Sequence, residues 1–186
     1  MQRSGYLLTT VSALVGLAAA LVPSAGRADK AAATPVYVTK SPTGYRDWKL
    51  VSVAQEKGEL NDIRGILGNE KAMKAFREGK IPFPEGTIIA RVAWDYVPSD
   101  ENNKAFADFA KTSGKPAPGQ VSFVAGHQKN GVQFMVKDSK KYAATGGWGY
   151  AQFDDGKPAD DAVMKACFPC HELIKARDYV FTRYAP

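Results

Sequence analysis

Cys167-Phe168-Pro169-Cys170-His171 lies close to the C-terminus and contains both cysteines of this 186-residue chain. C-x-x-C-H is the spacing that attaches a c-type haem. Residues three and four apart share one face of a helix, so the two thiols can each add to a vinyl group of a haem lying across it. The histidine that follows can turn beneath the porphyrin and ligate iron. The motif therefore predicts one covalently attached haem c, held by Cys167, Cys170 and His171, with His171 as the metal ligand.

Three other chemistries use the same residues, and each makes a demand on the rest of the chain. A disulfide closing so small a loop restrains little of the unfolded ensemble. A zinc site needs four ligands, and beyond these three the chain offers only His127 or a carboxylate. A thioredoxin-like dithiol belongs near a βαβ pattern, whereas here the motif is followed by a short tail and preceded by no such unit. Neither the disulfide nor the zinc site explains why a histidine follows the second cysteine directly.

The elements that must position the motif come next. Residues 1–28 read as a secretory signal, with Arg3 in a positive n-region, an apolar stretch from Leu7 to Val22, and Gly26-Arg27-Ala28 as a small-x-small cleavage site. An uncleaved anchor competes with this, but Thr9, Thr10 and Ser12 interrupt the run and leave it marginal for a bilayer span. Residues 29–39, rich in Ala, are expected to form a flexible leader. Residues 40–186 then form one domain, large enough for a real core. The expected location is the periplasm, with no membrane association after cleavage. The formal net charge of +6 includes Arg3 and Arg27 of the signal. The remaining lysines are scattered rather than gathered into an arm, so nucleic acid is not implied.

Asn69 followed by an acidic turn, Met73, Phe76 and Gly79 predicts a short amphipathic helix. Thr87 to Val97 alternates as a strand, with Ile88, Ala90, Val92, Trp94 and Tyr96 on one face and Ile89, Arg91, Ala93 and Asp95 on the other. Two Val- and Phe-rich runs around Asn130-Gly131 predict a hairpin over Val121 to Val136. Gly146 to Phe153 reads as another strand, its glycines allowing close approach of a backbone or a flat ligand. Asn102 to Thr112 fits either a helix or a loop packed through Phe106 and Phe109. Asp160 or Asp161 can cap a helix running into the cysteine motif, where Pro169 favours a helix junction over a straight turn. The fold class is α+β, a mostly antiparallel sheet with flanking helices, the last presenting the haem-attachment motif.

On these residues the chain resembles the cytochrome P-460 family, periplasmic c-type haem proteins that include the beta-type cytochromes c-prime. The resemblance is carried by Asp62-Ile63-Arg64, Gly86-Thr87-Ile88-Ile89-Ala90-Arg91, Met135 to Lys141, Gly146-Gly147-Trp148, Cys167 to His171, and Val180-Phe181-Thr182-Arg183-Tyr184. It implies a homodimer, His171 as proximal ligand, and an open or weakly occupied distal site facing small nitrogen species. Enzymatic members oxidise hydroxylamine toward nitric oxide or nitrous oxide and carry a lysine-to-haem bond. The position matching that lysine is Arg91, whose guanidinium stays charged and is no nucleophile. An uncrosslinked haem is the expectation.

The resemblance makes Arg64 and Arg91 distal-pocket candidates, donors to an iron-bound ligand in a dry site. The competing reading is salt bridges, Arg64 with Asp62 or Glu59 and Arg91 with Asp95. Arg183 is a haem-binding candidate through a propionate, against pairing with a surface carboxylate such as Asp178. His127 receives no role; Met73, Met135 and Met164 could each ligate iron as in electron-transfer cytochromes, and Met73 and Met135, at apolar positions, read as core packing.

The functional expectation is a haem protein that binds or redox-converts nitric oxide or hydroxylamine and exchanges electrons with a periplasmic redox partner. Two alternatives stand beside it. One is an electron carrier with a sixth, strong axial ligand. The other is a nitric oxide sensor or scavenger without turnover. No general base is identified, Asp95 being one candidate by strand parity.

Overall fold

A computed structural model describes residues 37–115, 119 and 121–186, so the signal at 1–28 and most of the leader lie outside the described residues. Within them one sheet dominates. Its strands are β1 (Lys49–Glu56), β2 (Asp62–Gly68), β3 (Ile88–Pro98), β4 (Phe123–Lys137), β5 (Trp148–Asp154) and β6 (Lys157–Pro158). They lie side by side in chain order, every neighbouring pair antiparallel. Three helices complete the α+β fold, α1 (Glu70–Glu78), α2 (Asp100–Ser113) and α3 (Asp161–Glu172), the last containing the cysteine motif. The chain is packed before residue 40: Val38 is buried, and its N–H donates to the Tyr150 carbonyl at 3.2 Å.

Alternation along the strands gives each face of the sheet its own core, because side chains of successive residues point to opposite sides. One face gathers Val51, Ile66, Ile89, Met135, Trp148 and Tyr150 under α1. The other gathers Ala90, Val92, Val132, Phe134, Ala151 and Phe153 with Tyr142. The alternation expected for β3 is therefore the observed one. Helix α3 serves both clusters: Met164 is buried in the second, while Cys167 and Phe168 pack against the first.

The expected hairpin at Asn130-Gly131 does not form. Both apolar runs belong to the single strand β4, fifteen residues long. Both pair with β3, which is long enough to take Val132–Val136 against Ile88–Val92 and the earlier run against Ala93–Pro98. Asn130 and Gly131, at φ 54° and 51°, are the left-handed step at which the ladder skips two residues. A Cβ on Gly131 would stand 2.2 Å from the Phe153 carbonyl oxygen, so only glycine fits. The dipeptide supplies the left-handed pair that sequence reasoning assigned to a turn, and the chain uses it as a bulge.

Helix α1 is as expected. The Asn69 side-chain carbonyl accepts from Ala72 N at 2.9 Å and from Ile88 N at 3.1 Å, joining the helix start to β3. Gly79 ends it in the left-handed conformation. The segment left open between helix and loop is helix α2, capped by Ser99, with Phe106 and Phe109 partly exposed rather than packed inside. No helix among the described residues is long and apolar enough to cross a membrane.

Candidate haem-binding site

Helix α3 starts on Asp160, whose carboxylate accepts from Val163 N at 2.9 Å. It runs through Pro169 to Glu172, so the expected junction is absent. The bond that Pro169 cannot make belongs to the Lys165 carbonyl, and both residues sit on the exposed side of the helix, where water can satisfy that oxygen. Cys167 and Cys170 are unbridged. Cys167 is half-buried, and burial, reinforced by the neighbouring Cys170, pushes its thiol pKa up. Cys170 is exposed. Among the described residues no group of three or more His, Cys, Asp or Glu side chains is placed to hold a metal ion.

The imidazole of His171 is held from one side. Its Nδ1 lies 2.7 Å from the Tyr179 carbonyl, and a carbonyl only accepts, so Nδ1 carries the proton and Nε2 is left with a lone pair. A metal-ligating histidine takes this arrangement. Burial lowers the His171 pKa, outweighing the carbonyl that favours the proton, and keeps the ring neutral. Tyr150 and Phe181 flank it at 4.9 and 5.2 Å between ring centroids.

Tyr150 is one of the residues that sequence reasoning missed. Its hydroxyl is buried with no hydrogen-bond partner among the described residues. Burial first, then the Cys167 thiol, raises its pKa far above the ordinary phenol. Buried hydroxyls are nearly always paired, and an orphaned donor beside Cys167 and His171 fits a site built to receive a further polar group. A haem propionate would supply one. Together with two free thiols on one helix and a free Nε2, the residues present fit haem c. The signal was available in strand parity, which puts Tyr150 opposite Met135 on the α1 face.

One position further along the strands on that same face lies a polar row. Arg91, Gln133 and Gln152 occupy successive paired positions of β3 to β5, continued on β2 by the buried Ile66. The Arg64 guanidinium bridges Glu56 at 2.7 Å and Asp62 at 2.6 Å. Asp62, fully buried, also pairs with Arg91. Arg91 Nη1 donates to Gln133 Oε1 at 2.9 Å, Gln133 Nε2 to Gln152 Oε1 at 2.9 Å, and Gln152 Nε2 to Asp154 Oδ2 at 3.2 Å. Burial first, and then Arg64, draws the Arg91 pKa down. The guanidinium remains charged at any accessible pH.

The ion-pair expectation for the two arginines was thus right in kind and partly wrong in partner. Arg91 pairs with Asp62 rather than Asp95, which is 3.6 Å from Lys129 instead. Arg64 takes Glu56, not Glu59, as its second carboxylate, because Glu56 is opposite Asp62 in the β1–β2 ladder. Arg183 is exposed and makes no ion pair among the described residues. Asp178, offered as its partner, is buried and bound to Lys137 at 2.7 Å. Met73, Met135 and Met164 are all buried in the two cores, and His127 is exposed on β4.

Comparison with curated proteins returns no match. A family model, described as cytochrome P460, matches residues 42–182, which takes in the whole sheet, the polar row and the cysteine motif. The chain belongs to the cytochrome P460 family.

Proposed function

We propose that this chain is an exported, periplasmic mono-haem c-type cytochrome that binds or redox-converts small nitrogen species, nitric oxide or hydroxylamine, without a lysine-to-haem bond. Cys167 and Cys170 hold the haem through thioether links, and His171 presents Nε2 to its iron. When bound, haem c supplies the iron that takes the ligand and exchanges electrons with a periplasmic redox partner. The observation that carries this reading is the fixed tautomer of His171, with Nδ1–H committed to the Tyr179 carbonyl and Nε2 free, on the same helix as two unbridged cysteines.

Arg91 acts as a hydrogen-bond donor to charge developing on the bound ligand. It is already oriented by Asp62 and Gln133, so it reorganises little when that charge appears. Arg64 holds Asp62 from the other side and so positions Arg91 indirectly. Arg183, exposed and without an ion pair among the described residues, is available to a propionate. The electron-carrier alternative requires a strong sixth ligand, whereas Met73, Met135 and Met164 are buried in the two cores. A homodimer belongs to the same reading, with exposed Leu50 and Val53 on the edge strand β1 available for contact. Sedimentation velocity tests it.

The primary experiment is intact mass spectrometry of the protein expressed with haem-maturation machinery. A mass increased by one haem that resists acid-acetone extraction is the expected result. The bare polypeptide mass would sink the proposal. Optical titration of the ferrous protein with nitric oxide then tests the ligand, a high-spin spectrum converting on addition. A low-spin spectrum unresponsive to nitric oxide would favour the electron carrier.

A further inference from the structure

Lys137 and Asp178 form an ion pair that is almost entirely buried, 5% and 7% exposed, with Nζ 2.7 Å from Oδ1. The same ammonium lies 3.4 Å from the Gly146 carbonyl and 5.0 Å above the Trp148 ring centre. The other carboxylate oxygen of Asp178 accepts from Phe83 N at 2.8 Å. One side chain therefore ties the tail after α3 to β4 and to the segment leading into β3.

Asp178 and the next residue, Tyr179, both lie in the left-handed region, at φ 50° and 64°. For residues with a Cβ this is strained backbone that persists only where the surroundings over-determine it. Here Lys137 and Phe83 hold the Asp178 carboxylate, its own N–H donates to the Lys175 carbonyl at 3.0 Å, and the ring of Tyr179 lies against Gly146, where a Cβ would come within 2.2 Å of it. Left-handed backbone at this point is what directs the Tyr179 carbonyl back to His171 Nδ1. A buried ion pair adds little net stability over an apolar pair of like volume, but it fixes direction at both ends.

We infer that Lys137 and Asp178 are positioning residues for His171, their ion pair holding the 178–179 turn so that the Tyr179 carbonyl sets both the orientation of the imidazole and its electron-donating strength toward iron. The inference rests on His171 as the iron ligand, as proposed above. A hydrogen bond to the far nitrogen makes an imidazole ligand more basic, which favours the ferric state. Loosening the turn then weakens the iron–histidine bond and raises the midpoint potential.

The experiment compares the haem-loaded wild type with D178N, K137M and the paired variant K137M/D178N, in which no buried charge is left alone. Each is checked for covalent haem by mass and for cooperative melting. Midpoint potential and the ferrous iron–histidine stretching band in resonance Raman spectra are then measured. The expected result is a band moved to lower frequency and a roughly tenfold shift of the ferric–ferrous equilibrium toward ferrous, about 59 mV for one electron. Variants that fold, carry haem and match the wild type in both readouts would overturn the inference. So would a paired variant that does not fold, since the pair would then be structural only. A wild-type protein without covalent haem or an iron–histidine band defeats the haem reading itself, and that result appears before any variant is made.

Discussion

Arg91 Nη1 lies 2.9 Å from Gln133 Oε1, across directly paired positions of β3 and β4. With Asp62 holding the other terminal nitrogen, the guanidinium has two fixed partners. Its remaining N–H groups are those available to a ligand.

Replacing that guanidinium by an amine changes what the position can do. Wild-type protein is expected to show an ordinary c-type haem spectrum, with no lysine crosslink on peptide mapping. R91K places an amine beside Asp62, which favours its charged, unreactive form. Crosslinking under mild hydrogen peroxide is therefore expected to appear in R91K and to increase with pH. A crosslink in the wild type, from any lysine, would show that Arg91 does not replace the crosslinking residue.

Asp62 stands between two guanidiniums with no exposure of its own. D62N leaves two partly buried cations facing a neutral amide, and breaking such a network costs on the order of 3–5 kcal/mol. Urea denaturation of wild type and variant measures it. A loss under about 1 kcal/mol, in the range of exposed pairs, would mean that water already screens the row.

His171 has a pKa lowered by burial. In the haem-free chain the folded state then resists a proton that the unfolded state accepts near its ordinary value of about 6.5. The unfolded state binds more protons, so stability rises with pH in that window and falls as pH drops below about 6.5. H171F cannot titrate and should flatten that dependence. Denaturation midpoints from pH 7.5 to 5.5 decide it, an unchanged slope counting against burial as the cause.

At Gly131 a methyl group would meet the Phe153 carbonyl at 2.2 Å, on backbone at φ 51°. G131A is expected to lose on the order of 2–3 kcal/mol, the upper range for a single substitution, of which left-handed strain accounts for roughly 1–2 kcal/mol. Thermal denaturation checks it. A variant as stable as wild type would mean that the bulge can relax.

Much of this was readable from local pattern. Asn69 and Gly79 bound α1 because cap chemistry is local, and β3 alternates because one residue type per face is enough to show it. The C-x-x-C-H motif itself was legible from spacing alone. The bulge was not, because Asn-Gly reports a left-handed pair and says nothing about whether the flanking runs pair with each other or with a third strand. The partners of Arg91 were missed for a related reason: Asp95 shares its strand, but Asp62 reaches it through the β2 register, a long-range fact. Tyr150, Gln133 and Gln152 lay on a face that parity could have identified once the strand order was known.

Strand β4 carries both sides of the proposed site, Gln133 toward Arg91 and Lys137 toward Asp178, four residues apart and hence on one face. A shift of one residue anywhere between them would turn one inward and the other outward. This stretch can therefore accept exchanges of side chain but not changes of length. At Asn130-Gly131 the chain already carries two residues that β3 does not match. Two is the count that returns every later side chain to its own face, so removal of both would spare the pattern, while removal of either alone would invert one half of the strand against the other.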